Sequence, residues 1–77
     1  MPHGYSQYTI QANKSADRRL VGVALGRACI ANNVSVAEVA KRFKVSRQTV
    51  YNWFDGKHLP NDEMIRAITL YIGRLTK

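Results

Sequence analysis

The chain has 77 residues, and its 12 Lys and Arg against 5 Asp and Glu give a formal charge of +7. So short a chain supports one small core and excludes a deep substrate cleft with a scaffold around it. No apolar run approaches a membrane span, the single Cys29 excludes an intramolecular disulfide, and the excess of positive charge points to polyanions as partners.

Residues 1–15, "MPHGYSQYTIQANKS", are polar, with Pro2 and Gly4 breaking any early helix and Tyr5, Tyr8 and Ile10 at no helical spacing. They read as a mobile N-terminal arm, in which Tyr8 and Ile10 alternate as a short strand would. The arm lacks the apolar stretch of a secretory signal, so a reducing cytoplasm is the expected compartment.

The folded domain is expected over 16–77. A first helix is predicted within "SADRRLVGVALGRACIANN", where Ser15 can cap and Asp17 falls in the first turn. Leu20, Val21, Ala24, Leu25 and Ala28 form its apolar stripe. Gly22 and Gly26 weaken the helix but suit a close helix neighbour, and Asn32 and Asn33 tolerate the left-handed conformation that closes helices. Ser35 then caps "VAEVAKRF", with Glu38 three residues on and Val36, Val39, Ala40 and Phe43 on one side. After "KVS", Ser46 caps "RQTVYNWF", in which Val50, Trp53 and Phe54 face one way. Gly56 ends that helix, Pro60 bars an earlier restart, and Asn61 caps a last helix with Asp62 and Glu63 at its positive end. Met64, Ile65, Ile68, Ile72 and Leu75 form the stripe of this last helix.

Two short helices joined by a tight turn, over residues 35–55, make a helix-turn-helix, whose second helix can enter the DNA major groove. Ala40 is small where the two helices must cross, and Val45 can tuck the turn into the core. Residues 35–60, "SVAEVAKRFKVSRQTVYNWFDGKHLP", resemble the motif of the phage repressor and Cro-like family, also called the xenobiotic-response-element type. Ala40, Val45, Val50 and the tail "WFDGKHLP" carry the resemblance, which extends loosely over residues 16–75. It implies an all-α, lambda-repressor-like domain of four or five helices, although no segment matches the family's dimerising fifth helix. It also implies that Arg47, Gln48, Tyr51 and Asn52 read bases and that Ser35 and Lys57 hold phosphates. The chain departs from the family pattern at Lys44, where a Gly of positive φ is usual, and at Val36, where many members place Gln.

The residues support the same reading without the family. At about 100° per residue, Gln48, Tyr51, Asn52 and Asp55 fall opposite Val50, Trp53 and Phe54. This outer face has few of the Glu and Lys residues that a merely solvated helix favours. Gln48 and Asn52 can bond adenine, Arg47 can bond guanine, and Tyr51 or the Thr49 methyl can pack on thymine. Lys41, Arg42, Lys44 and Lys57 frame the face as phosphate partners, Ser46 at the helix start adds an anion contact, and Lys14, Arg18 and Arg19 could extend a phosphate track.

No catalytic or metal constellation is visible. His3 and His58 lie apart without ligand-spaced neighbours, Cys29 reads as a structural thiol, and the five acidic residues form no carboxylate cluster. The expectation is a non-enzymatic, cofactor-free regulator in a bacterial or phage-infected cytoplasm, at the nucleoid, binding double-stranded DNA as a homodimer on a palindromic operator, with no membrane or small-molecule partner. Two alternatives remain at this stage: a DNA-binding component of phage recombination or packaging machinery, and a protein-interaction module on the same fold.

Overall fold

Polar side chains cap the start of four of the five helices among the described residues. The computed structural model describes residues 5–17 and 19–76 and contains α1 (Gln7–Ser15), α2 (Val21–Ala31), α3 (Val36–Phe43), α4 (Arg47–Phe54) and α5 (Asp62–Leu75), with no strand among the described residues. Ser6, Ser35 and Ser46 each accept a hydrogen bond at 3.1 Å from the backbone N–H three residues on, and Asn61 accepts one at 2.9 Å from Met64. Each bond satisfies an amide that the helix itself leaves without a partner.

The left-handed closures fall where the sequence expects them. Asn33, at φ 59°, follows α2, and Gly56, at φ 80°, follows α4. Lys44 ends α3 at φ 58° and ψ 46°, the conformation that explains the Gly usual in the family. The Val45 N–H bonds the Ala40 carbonyl at 3.0 Å, which turns the chain sharply into α4.

The buried core includes Leu25, Cys29, Val39, Val50, Trp53, Phe54 and Ile68, with Val45 and Phe43 packed against it. α2 occupies the centre, against α1, α4 and α5. Its two glycines allow this: a Cβ on Gly22 would lie 2.7 Å from the Trp53 carbonyl oxygen, and one on Gly26 would lie 2.9 Å from Phe54 Cγ. Because neighbours surround α2, Val23 and Cys29 are buried along with the predicted Leu25 and Ala28. Tyr71, absent from the predicted stripe of α5, is also buried, edge-on to Phe43 at 5.5 Å between ring centroids.

Two expectations are corrected at the N-terminal side. Residues 7–15 form a helix where an arm or short strand was expected, and Ser15 ends that helix instead of capping the next. Asp17 shapes the turn that follows: its carboxylate accepts from the Arg19 N–H at 2.9 Å, and α2 begins only at Val21. α1 is held by polar docking. Asn13 is buried and its Nδ2 donates to the carbonyls of Val23, at 3.1 Å, and Phe54, at 2.7 Å. The Tyr5 hydroxyl donates to the Val34 carbonyl, and Arg27 donates to the Lys14 carbonyl at 3.0 Å.

Candidate nucleic-acid interface

α4 turns Val50, Trp53 and Phe54 inward and presents Arg47, Gln48 and Tyr51 to solvent, with Asn52 and Thr49 half-buried beside them. Gln48 Nε2 donates to Asn52 Oδ1 at 3.1 Å, one helical turn away. The bond uses one donor of Gln48 and one acceptor of Asn52, so the Gln48 carbonyl oxygen and the Asn52 amide donors remain for another partner. Thr49 is engaged differently, with its hydroxyl 2.9 Å from that of Ser46 at the cap.

The far end of α4 is fully bonded. The carbonyls of Tyr51, Asn52 and Trp53 accept from the amides of Asp55, Lys57 and Gly56, and that of Phe54 accepts from Asn13 of α1. The four carbonyls that a helix C-terminus leaves open therefore all have partners, one of them from another helix.

The candidate phosphate residues divide between surfaces. Ser35 and Ser46 stand at the N-termini of α3 and α4, and Lys41 and Lys44 are exposed around the turn that joins these helices. Lys57 lies at the end of α4, its ammonium 3.8 Å from Asp55 Oδ2, and lines one groove with Gln48 and Tyr51. Arg42 does not join them. Its guanidinium sits 4.7 Å over the Tyr71 ring and borders a separate groove with Leu70 and Arg74. Lys14 is exposed in the last turn of α1. Arg19 is paired with Asp17 at 3.0 Å and holds that carboxyl below its usual range, chiefly through the side-chain hydrogen bond. Arg18 lies outside the described residues.

α1 contributes residues to this surface that the sequence reading left without a role. Tyr8, Thr9 and Ala12 line the same groove as Gln48, Tyr51 and Lys57. The local signal was Ser6 three residues ahead of Thr9, which caps α1, but apolar periodicity gave no sign of a helix there.

Among the described residues, no group of three or more His, Cys, Asp or Glu could hold a metal ion, and no helix is long and apolar enough to cross a membrane. Burial pushes the Cys29 thiol up to about 12, so it is protonated and unreactive in the folded protein at neutral pH.

Comparison with curated proteins and with solved structures returns no match. A family model described as Helix-turn-helix matches residues 25–75, a span that takes in α3, α4, α5 and the C-terminal part of α2. The match covers about two thirds of the chain and leaves α1 outside it. With two short helices, a tight turn and a polar outer face on the second, the chain belongs to the Cro/C1-type helix-turn-helix family, a family of non-enzymatic DNA-binding domains.

Proposed function

We propose that the protein is a sequence-specific regulator of repressor or Cro type, which lays α4 in the major groove and occupies an operator. The observation that carries this reading is the outer face of α4. Arg47, Gln48 and Tyr51 are exposed there, and the Gln48–Asn52 bond aligns two amide side chains that can each bond a base edge. Thr49 adds its methyl at the edge of this face. Ser35, Lys41, Lys44, Ser46 and Lys57 contact phosphates around it, and Lys14 and Arg19 lie further out.

A domain this small makes few base contacts, so two copies bind half-sites about one helical turn apart on a palindromic operator. Leu70, 70% exposed on α5, offers apolar surface for a two-fold partner to cover. The protein then works in the cytoplasm of a bacterial or phage-infected cell, at the nucleoid.

Selection of bound duplexes from a random pool, at near-physiological salt and with excess competitor DNA, tests the reading. A recovered palindrome whose base preferences relax with Gln48→Ala is the expected result. Recovery of unenriched sequence would leave only charge-driven binding and overturn base reading by α4.

A further inference from the structure

Tyr8 is the residue of α1 that packing does not explain. It is 73% exposed, the most exposed large hydrophobic side chain among the described residues. With Thr9 it lines a groove completed by Gln48 and Tyr51 of α4 and, beyond them, Lys57. The groove is built rather than incidental, because Asn13 bonds α1 to the backbones of both α2 and α4 and the Tyr5 hydroxyl bonds the Val34 carbonyl.

We infer that α1 is a second DNA-contacting element, and that the groove between α1 and α4 seats the sugar–phosphate strand bordering the major groove in which α4 lies. The inference rests on the reading of α4 as the base-reading helix. A major groove is about 12 Å wide, and a helix with its side chains is about 10–12 Å across. A structure flanking the helix at the level of its reading residues therefore faces the phosphate wall, not a further base. Gln48 and Tyr51 belong both to the proposed reading face and to this groove, and Lys57 belongs both to the proposed phosphate set and to this groove. A strand that reaches Lys57 while Gln48 meets a base passes beside Tyr8 and Thr9.

The chemistry matches. α1, QYTIQANKS, carries no carboxylate and has Lys14 in its last turn. Hydroxyl and amide side chains supply many phosphate and sugar contacts in protein–DNA complexes. Asp55, the carboxylate in the groove lining, is paired with Lys57 at 3.8 Å. The groove thus offers a phosphate strand the hydroxyls of Tyr8, Thr9 and Tyr51 and the Gln48 amide, with the Asp55-paired ammonium of Lys57 beside them.

The test uses the full chain and a duplex recovered by the selection above, at fixed salt. Affinity is measured by fluorescence anisotropy, and backbone contacts by ethylation interference. Tyr8→Phe is expected to weaken binding about tenfold, the effect of losing a hydrogen bond to a charged group, and Tyr8→Ala, which also removes the ring, about twentyfold. Base preference should be unchanged, and interference should disappear at phosphates flanking the half-site. Parent-like affinity and interference in both Tyr8 variants would overturn the inference, and α4 would keep its role if Gln48→Ala still relaxes base preference. If Gln48→Ala also changes nothing, the reading of α4 fails and the role of α1 fails with it. Tyr8→Phe keeps the ring and the fold, so it decides the matter even if Tyr8→Ala melts early. A weakening that follows the melting temperature, with the interference pattern intact, would assign Tyr8 to folding and also overturn the inference.

Discussion

Asn13 Nδ2 donates to the carbonyl oxygen of Phe54 at 2.7 Å and so completes the C-terminal turn of α4 from a helix 41 residues earlier in the chain. The same amide reaches the Val23 carbonyl, so one buried side chain joins three helices. Asn13→Ala removes both bonds and leaves the Phe54 carbonyl unpartnered in a dry site, at a cost of about 2–3 kcal/mol. For a domain of this size the melting temperature should fall by roughly 10–20 °C, measured by circular dichroism. An unchanged melting temperature would mean that α1 does not dock as described.

Gly22 and Gly73 should respond oppositely to alanine. A Cβ at Gly22 meets the Trp53 backbone, so Gly22→Ala should cost about 2–3 kcal/mol despite the better helix former. A Cβ at Gly73 meets nothing within 4 Å on an exposed part of α5, so Gly73→Ala should stabilise by about 0.5–1 kcal/mol. Urea denaturation of both variants checks the opposite signs.

Lys44 combines a strained backbone with a charge beside α4, the proposed reading helix. Lys44→Gly relieves the left-handed strain and should stabilise the fold by about 0.5–1 kcal/mol. The same change should weaken DNA binding severalfold and lower the slope of log affinity against log salt by about one. Melting and salt titration of one variant should therefore move in opposite directions.

Gln48 and Asn52 should act as a unit. Because they share a 3.1 Å bond, Asn52→Ala should disturb the orientation of Gln48 as well as remove its own contact. In a double-mutant cycle on a cognate duplex, the losses from Gln48→Ala and Asn52→Ala should fall short of additive by about 1 kcal/mol. Strict additivity would mean that the bond has no part in recognition.

Cys29 should make the fold less stable in alkali. Its thiol is raised from 9.0 to about 12 in the folded protein, chiefly by burial, and Glu38 adds to the shift. Between pH 9 and 12 the unfolded chain loses this proton while the folded chain keeps it, so stability falls as pH rises through that window. Tyr5 and Tyr71 shift the same way, mainly through burial, and extend the loss at the alkaline end. Cys29→Ala should make the loss shallower from pH 9 upward, measured by denaturant midpoint against pH.

The motif itself was legible because its signals are local. Ser35, Ser46 and Asn61 cap helices that begin one residue later, and Val36, Val39 and Ala40 bury the side that their spacing indicates. Lys44 was identifiable as a left-handed position from the family pattern and adopts that conformation. α1 was not legible. Its one fully buried residue is Asn13, so what fixes the helix is chiefly hydrogen bonding to groups distant in sequence, which leaves no apolar period to read. Tyr71 was missed for a related reason: a tyrosine on α5 looks amphipathic until Phe43 and Arg42 cover its ring. Sequence proximity places Arg42 with the other cations, but its contact with the Tyr71 ring of α5 shows which surface it joins.

The two ends of α4 are secured unequally. At Phe54 the helix is riveted to α1 through a dry amide, whereas at Arg47 its last fastening is the exposed hydroxyl of Ser46. Fraying should therefore begin at the Arg47 end, and amide protons of the first turn should exchange with solvent sooner than those near Trp53. In the proposed complex the Arg47 tip would settle against a base step and stiffen on contact, while the root of the helix keeps its aim.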